Sequence, residues 1–491
     1  MPGVQVSTGP SPSAADLVVA TGADYFVVGQ CERGSATEIV TATSMTDARN
    51  KIGQRVTYGA LDDDLDTFFA EGGKRVRIAR VVGPAATTGL LSLVDRAGTP
   101  VATLSIAATS PGPWSSRVAI AITAGAIPNT FNVEVYLDGD TTTPVEVFPD
   151  LLSPAAAVTA LLSSTYVRAT NLASVSAAPN NNPALQAPTA LSAGSDDRGS
   201  LVATSYTDAL ARFGRLLGPG AVGIPGQASS AVGAAVIAHC KANNRIAILA
   251  AAVGSTSAAA ITAATALRNT AGSEGAGLFW PWVRIPDGSG GERVISPEGY
   301  VAGCRARTIA AIGPEQPPAG IYGQAQRVTR PDVIVSRAVG DDLNSKSVNC
   351  IRTIGLSSTR IYGWRSLSAD QRNYPLLRDR DLMNFCASTS EGLLEDLVFR
   401  VIDAQGHFAA DAIHRVMSVV GPINDRGGLS PYPLVGPPID PGYVVNAGPE
   451  INTPDTLARN EFHIQLGIRP AGVAEMIWET ITKVLVNQAL V

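Results

Sequence analysis

Between residues 205 and 283 the chain alternates helical and extended patterns without a break, and this restricts the fold more than any other feature. Tyr206, Leu210, Phe213 and Leu217 fall on one helical face, with Ser205 and Asp208 as capping residues. A strand over 221–224, a helix over 230–243, a strand over 246–252, a helix over 256–269 and a strand over 278–283 are expected next. Parallel strands need a crossover between them, and a helix is the usual one. The order therefore predicts an α/β fold: a mostly parallel sheet with helices on its faces.

The same layer begins near the amino end. A short apolar strand is expected over 25–29, and Ser44 with Asp47 caps a helix that stops near Gly53. A second helix gathers Leu65, Phe68 and Phe69 and ends at Gly72, after which Val76 and Ile78 alternate with Arg75 and Arg77 on a strand. Gly72, Gly73 and Lys74 do not form a phosphate loop, because the glycines end a helix instead of opening one. Asp62, Asp63 and Asp64 stand at a helix start, where each carboxylate gains about 0.3–1 kcal/mol from the helix dipole. We read them as helix-start charges rather than as metal ligands.

From Pro84 the composition turns to Thr, Ala, Ser, Val and Pro, and strands are expected over 90–94, 101–106, 117–122 and 131–137, with Asp138-Gly139 as a turn. This is the pattern of a small β domain inserted into the α/β core, with 179–188 as its exposed exit. Beyond Gly320 come strands over 348–354 and 360–367, helices over 378–398 (Leu382, Phe385 and Cys386 inward) and 408–420, and strands over 462–468 and 476–486. The expected division is an arm at 1–23, a core from 24–83 and 198–345, the insertion at 84–197, an α+β domain at 346–475 and a terminal strand at 476–491.

The stretch 277–320 is the densest in signals. Two tryptophans around Pro281 mark a buried strand over 278–285 that leaves the sheet near Pro286, followed by a glycine turn at 288–291. Ser296 is the expected N-cap and Pro297 the first helical residue, with Val301, Cys304, Thr308 and Ile312 on one side and Gly313-Pro314 as the stop.

Composition excludes several classes. Lysine and arginine total 37 against 42 acidic residues, a formal charge of -5, which gives no footprint for nucleic acid. The first cation is Arg33, so no secretory signal peptide is expected, and no apolar run approaches the ~20 residues of a membrane span. Cys31, Cys240, Cys304, Cys350 and Cys386 show no metal or disulfide spacing and are expected reduced and buried. Neither a cofactor nor a metal site is expected. Only 16% of residues are charged, and with 48 Gly and 33 Pro this suits a loop-rich chain that covers its surface by self-association.

The aromatic-Pro-Trp strand, Ser-Pro helix start and Pro-rich exit of 277–320 resemble the signature region of contractile tail sheath proteins. Similar matches run in order along the chain: the opening Pro2-Gly3-Val4, the segment from Phe68 to Arg75, Pro-Gly-Pro-Trp at Pro111 to Trp114, Asn349 to Thr353, and Tyr362-Gly363-Trp364-Arg365. The resemblance implies a three-layer subtilisin-like α/β core, an inserted β domain, a C-terminal α+β domain and extended terminal arms. It also implies a structural subunit of a contractile phage tail sheath, which polymerises with itself around a tail tube protein and meets baseplate and tail terminator proteins. Such a subunit would be made in the host cytoplasm and reside in the virion.

In such a polymer the termini would link neighbours by strand addition. Val4, Gln5 and Val6 at one end, and Trp478, Thr480, Ile481, Lys483 and Leu485 at the other, carry the alternation this needs. A subtilisin-like core raises the question of a hydrolase. The four histidines, His239, His407, His414 and His463, stand in no catalytic motif, and no nucleophile turn occurs, so no enzyme is expected. A bacteriocin-type or other injection particle stays open as an alternative, and a capsid subunit would share the composition without the ordered motifs.

Overall fold

The computed structural model describes residues 22–355, 358–435 and 437–476. The chain falls into two compact units, Met1–Ser388 and Thr389–Val491.

The first unit is built on an eight-stranded sheet. Its strands run in the order Ser358–Ile361, Val348–Ile354, Ala276–Trp280, Ile246–Ala250, Gly220–Gly223, Asp24–Gly29, Val76–Arg80 and Val40–Ala42. The six inner strands are parallel; only the two edge strands pair antiparallel. The Asp24–Gly29 strand is buried along its whole length, as expected for an apolar run covered on both faces. Its alternation sorts the core. Tyr25 and Val27 pack with Leu61, Leu65 and Phe68 on one face, and Phe26 and Val28 pack with Phe213, Val222 and Val236 on the other.

Most of the expected elements form, and the departures have physical causes. The helix expected through Tyr206 to Leu217 is cut short: Ala203–Ala209 is α-helical, and 3-10 turns follow at Leu210–Arg212 and Arg215–Leu217. Ser205 lies inside the first turn, its hydroxyl accepting from the Val202 N–H at 3.2 Å. The buried Arg245 guanidinium donates to the carbonyls of Phe213 (2.6 Å), Gly214 (2.7 Å) and Gly218 (3.0 Å), which a continuous helix would keep for itself.

The strand expected over 278–285 is two strands in two sheets. Ala276–Trp280 ends the large-sheet pairing, and Val283–Pro286 joins Glu292–Ile295 and Arg330–Pro331 in a separate three-stranded sheet. Pro281, lacking an N–H, sits at the change of sheet. The indoles of Trp280 and Trp282 donate to the carbonyls of Ser255 (2.9 Å) and Ala251 (2.8 Å) and fix the crossing. The glycine turn at 288–291 forms, closed by the Asp287 carboxylate, which accepts from the Ser289 and Gly291 amides.

The next helix begins at Glu298, one residue later than expected, and runs to Ala311. Pro297 occupies the N-cap position, and Ser296 bonds the Glu298 carboxylate instead of a backbone amide. Nor is it buried on one side only, for every residue from Glu298 to Ala306 is buried. Arg77, which alternates with the apolar Val76 and Ile78, is buried too, as is Arg80.

Residues 84–197 hold two further sheets. Gln186–Ala190, Val118–Ala124, Phe131–Leu137 and Glu146–Leu151 form one; Leu90–Val94, Ala102–Ala108 and Val167–Asn171 form the other. They share a core of Leu104, Ile106, Trp114, Ile120 and Val133. Asp138 (φ 57) and Gly139 (φ 81) make the expected tight turn. The stretch expected as an exposed exit is partly internal: Asn182 is buried with its amide on the Asn129 carbonyl at 2.9 Å, and Gln186 already starts a strand.

The second unit, described to Met476, carries the helix His407–Asp425 and a two-stranded antiparallel sheet of Tyr443–Asn446 with Gln465–Ile468. Phe408 and Phe462 meet edge-on at 5.0 Å in its small apolar cluster.

Candidate functional site

The residues expected to link subunits, Val4, Gln5, Val6, Trp478, Thr480, Ile481, Lys483 and Leu485, lie outside the described residues. The described chain shows where those segments start. At the amino end, the Gly22 carbonyl accepts from Arg305 Nη1 at 2.7 Å, and the Asp24 carboxylate is held by Arg75 (2.7 Å) and Arg77 (3.3 Å). At the carboxyl end, the chain leaves the Gln465–Ile468 strand through Arg469, whose amide donates to the Gly442 carbonyl at 2.7 Å. That strand and its partner Tyr443–Asn446 have no further strand beside them among the described residues.

A cleft of about 300 Å³ opens where the parallel strands end, lined by Gln30, Arg55, Tyr58, Asp63, Tyr206 and Ser296 among others. Open α/β sheets place their ligands at this carboxyl edge, so it is the place to test for catalysis. A Ser-His-Asp mechanism needs an imidazole within reach of the hydroxyl. His239 is instead near the end of the Ser229–Ala242 helix, 3.3 Å from Arg245 Nη1. There burial, aided by the Arg245 charge, pushes its pKa down to about 4. His407, His414 and His463 belong to the second unit. Asp63 is committed to Arg55 (2.9 Å) and Arg293 (3.3 Å), and Ser296 to Glu298.

Beneath the cleft the helices Leu61–Ala70 and Glu298–Ala311 meet across buried carboxyls. A Cβ on Gly299 would stand 2.2 Å from the Asp64 carbonyl, and one on Gly303 2.6 Å from Glu71 Cβ, so glycine alone allows this approach. The Asp64 carboxylate accepts from the Gly299 amide at 2.6 Å. Burial pushes Asp64 up to about 7 and, reinforced by the Asp64 charge, Glu298 up to about 8. Glu71, also buried, accepts from the amides of Gln326 (2.9 Å) and Arg327 (2.8 Å) and from Arg307 (3.2 Å), which fixes the loop after the helix.

The three aspartates stand in the first turn of their helix, as expected, and all three are buried. Asp62 pairs with Arg49 at 2.9 Å, Asp63 with two arginines, and Asp64 faces the neighbouring helix. Asp62 and Asp63 gain arginine partners, which is why burial is tolerated. The legible signal was the spacing Gly299-x-x-x-Gly303, which marks a close helix contact. Cys31, Cys240, Cys304, Cys350 and Cys386 are free and buried, as expected. Among the described residues no group of His, Cys, Asp and Glu is placed to hold a metal ion, and no helix is long and apolar enough to cross a membrane.

No protein-family model and no curated protein sequence matches the chain. Solved structures do. The sheath tail protein Lin1278 of Listeria innocua is similar with a TM-score of 0.60 at 11% identity, covering 87% of this chain and 89% of its own. A chain of the contracted helical sheath of the anti-feeding prophage gives 0.55 at 15% identity over 98% of both chains. A chain from the baseplate of the same particle gives 0.57 at 15% identity over 99% of both. The similarity runs over most of each chain: the protein has the fold of contractile tail sheath proteins.

Proposed function

We propose that this chain is the repeating subunit of a contractile sheath, a helical homopolymer that surrounds a tail tube and contracts to drive it through the envelope of a target cell. The similarity to sheath chains over 98% of both lengths carries this reading, since it spans both units and the insertion at once. It takes the α/β core as subtilisin-like in form without its chemistry; the commitment of Ser296 and Asp63 to structural partners supports a non-enzymatic role. Baseplate, tube and terminator proteins are the partners of such a subunit, and a virion or related contractile particle is its place. Phage tail and phage-tail-like injection particles both use this architecture.

The linkage we propose is strand addition. The sheet of Tyr443–Asn446 and Gln465–Ile468 has no further strand beside it among the described residues, and such edge strands are templates for strand addition. Val4 to Val6 of one neighbour and Trp478 to Leu485 of another carry the alternation that would complete it. Contraction then draws on energy stored at assembly, since the sequence carries no nucleotide-binding loop.

Negative-stain electron microscopy of the purified protein, whole and lacking residues 1–20 or 478–491, tests this. We expect hollow cylinders from the whole chain and monomers from either truncation. Cylinders that survive both truncations would discard the linkage and keep the sheath. Monomers from the whole chain, with and without a cognate tube, would refute the sheath reading.

A further inference from the structure

The root of the amino-terminal segment is pinned at Gly22 and Asp24, and the residue that holds Gly22 also holds a second helix. Arg305 projects from the Glu298–Ala311 helix and is 2% exposed. Its Nε and Nη2 grip both oxygens of Asp381 at 2.7 and 2.6 Å, and its Nη1 donates to the Gly22 carbonyl at 2.7 Å. Asp381 lies on the helix Leu377–Leu394. One turn along that helix, the Phe385 ring stands 3.1 Å from where a Gly22 Cβ would be, and Gly22 has φ +73. Two residues on, Asp24 is clasped between Arg75 and Arg77.

We propose that Arg305 is a tension latch that ties the root of the amino-terminal segment to the Leu377–Leu394 helix. A pull on residue 21 would otherwise act on the end of the Asp24–Gly29 strand and open its ladder one hydrogen bond at a time. With Gly22 held by a charged donor that is itself gripped at two points, the load passes into the two helices that the Arg305–Asp381 pair joins. Charge-assisted bidentate bonds are the strongest available for this, and the dry surroundings keep water from competing. The load itself rests on the sheath reading, in which terminal segments join subunits; the coupling of the two elements does not.

The other buried arginine at a junction gives the contrast. Arg80 donates to the carbonyls of Cys31 (3.2 Å), Glu32 (3.1 Å), Gly34 (3.0 Å) and Pro111 (2.8 Å), and so seats the insertion on the core without touching Gly22.

The test compares the full chain with Arg305→Lys, the double variant Arg305→Met/Asp381→Leu, and Arg80→Lys, by hydrogen exchange and by cylinder length after mild shear. The double variant removes both charges at once, so it avoids the buried ion pair that Arg305→Lys would keep without its two-point fork. We expect it to fold, with the amides of 22–26 and 378–388 exchanging together at least ~10-fold faster and those of 246–250 unchanged. Cylinders built from it should fragment to shorter lengths than the parent's. Arg80→Lys should speed exchange at 111–117 and leave 22–26 alone. Exchange unchanged at both latch segments, or raised at only one, would overturn the proposal. If the parent forms no cylinders the sheath reading fails, and the exchange data still decide the coupling.

Discussion

Asp64 shows how far one buried carboxyl sets the solution behaviour of its surroundings. Its folded pKa of about 7 stands above the ordinary carboxylate value because burial disfavours the charge. Below about pH 4 both folded and unfolded forms carry the proton and its contribution is full. As pH rises from about 4 to 7 the unfolded form ionises first, so stability falls by about 1.4 kcal/mol per pH unit over that window. Asp64→Asn keeps an oxygen for the Gly299 amide and removes the titration. The unfolding midpoint of the parent should drop between pH 5 and pH 7, and that of Asp64→Asn should drop less. Equal slopes in the two proteins would show that Asp64 is not protonated in the folded state. Glu298, raised to about 8 beside it, extends the decline in both proteins to higher pH.

Among elements, two helices carry glycines with opposite duties. On Glu298–Ala311, Gly299 lets the backbone of the Leu61–Ala70 helix approach, and a methyl there would collide with the Asp64 carbonyl at 2.2 Å. Gly299→Ala should therefore destabilise the first unit by about 2–3 kcal/mol, read as a lower denaturant midpoint at unchanged slope. On Leu377–Leu394, a methyl added at Gly392 would meet nothing within 4 Å, and a helix-interior glycine costs about 1 kcal/mol relative to alanine. Gly392→Ala should raise helix stability, measured as slower exchange of the amides around it. A reversal of either sign would contradict the packing described for that helix.

Across the whole molecule, the proposed linkage gives the terminal segments to assembly, so their removal should separate folding from polymerisation. Truncation to 22–476 should leave the thermal midpoint of the monomer within a few degrees of the full chain, because the two units have their own cores, while abolishing cylinders. A large loss of monomer stability would mean that the segments pack on their own chain instead of a neighbour's.

What the sequence alone determined were the parts governed by local period. The apolar run at Tyr25, the Ser44 cap with its helix ending at Gly53, the alternation from Ile246 to Trp280 and the Asp138-Gly139 turn all follow from residues a few positions apart. The ordered motifs also pointed to the sheath fold. Tertiary structure decided whatever depended on a distant partner. Arg245 cut the Tyr206 helix by taking its carbonyls, Arg49, Arg55 and Arg293 drew two of the three aspartates into ion pairs, and Arg305 tied Gly22 to Asp381 across 76 residues of chain on one side and 283 on the other. A lone charge in a dry interior is costly, and only the folded chain brings together the partners that offset that cost, so the burial of these side chains does not follow from local period.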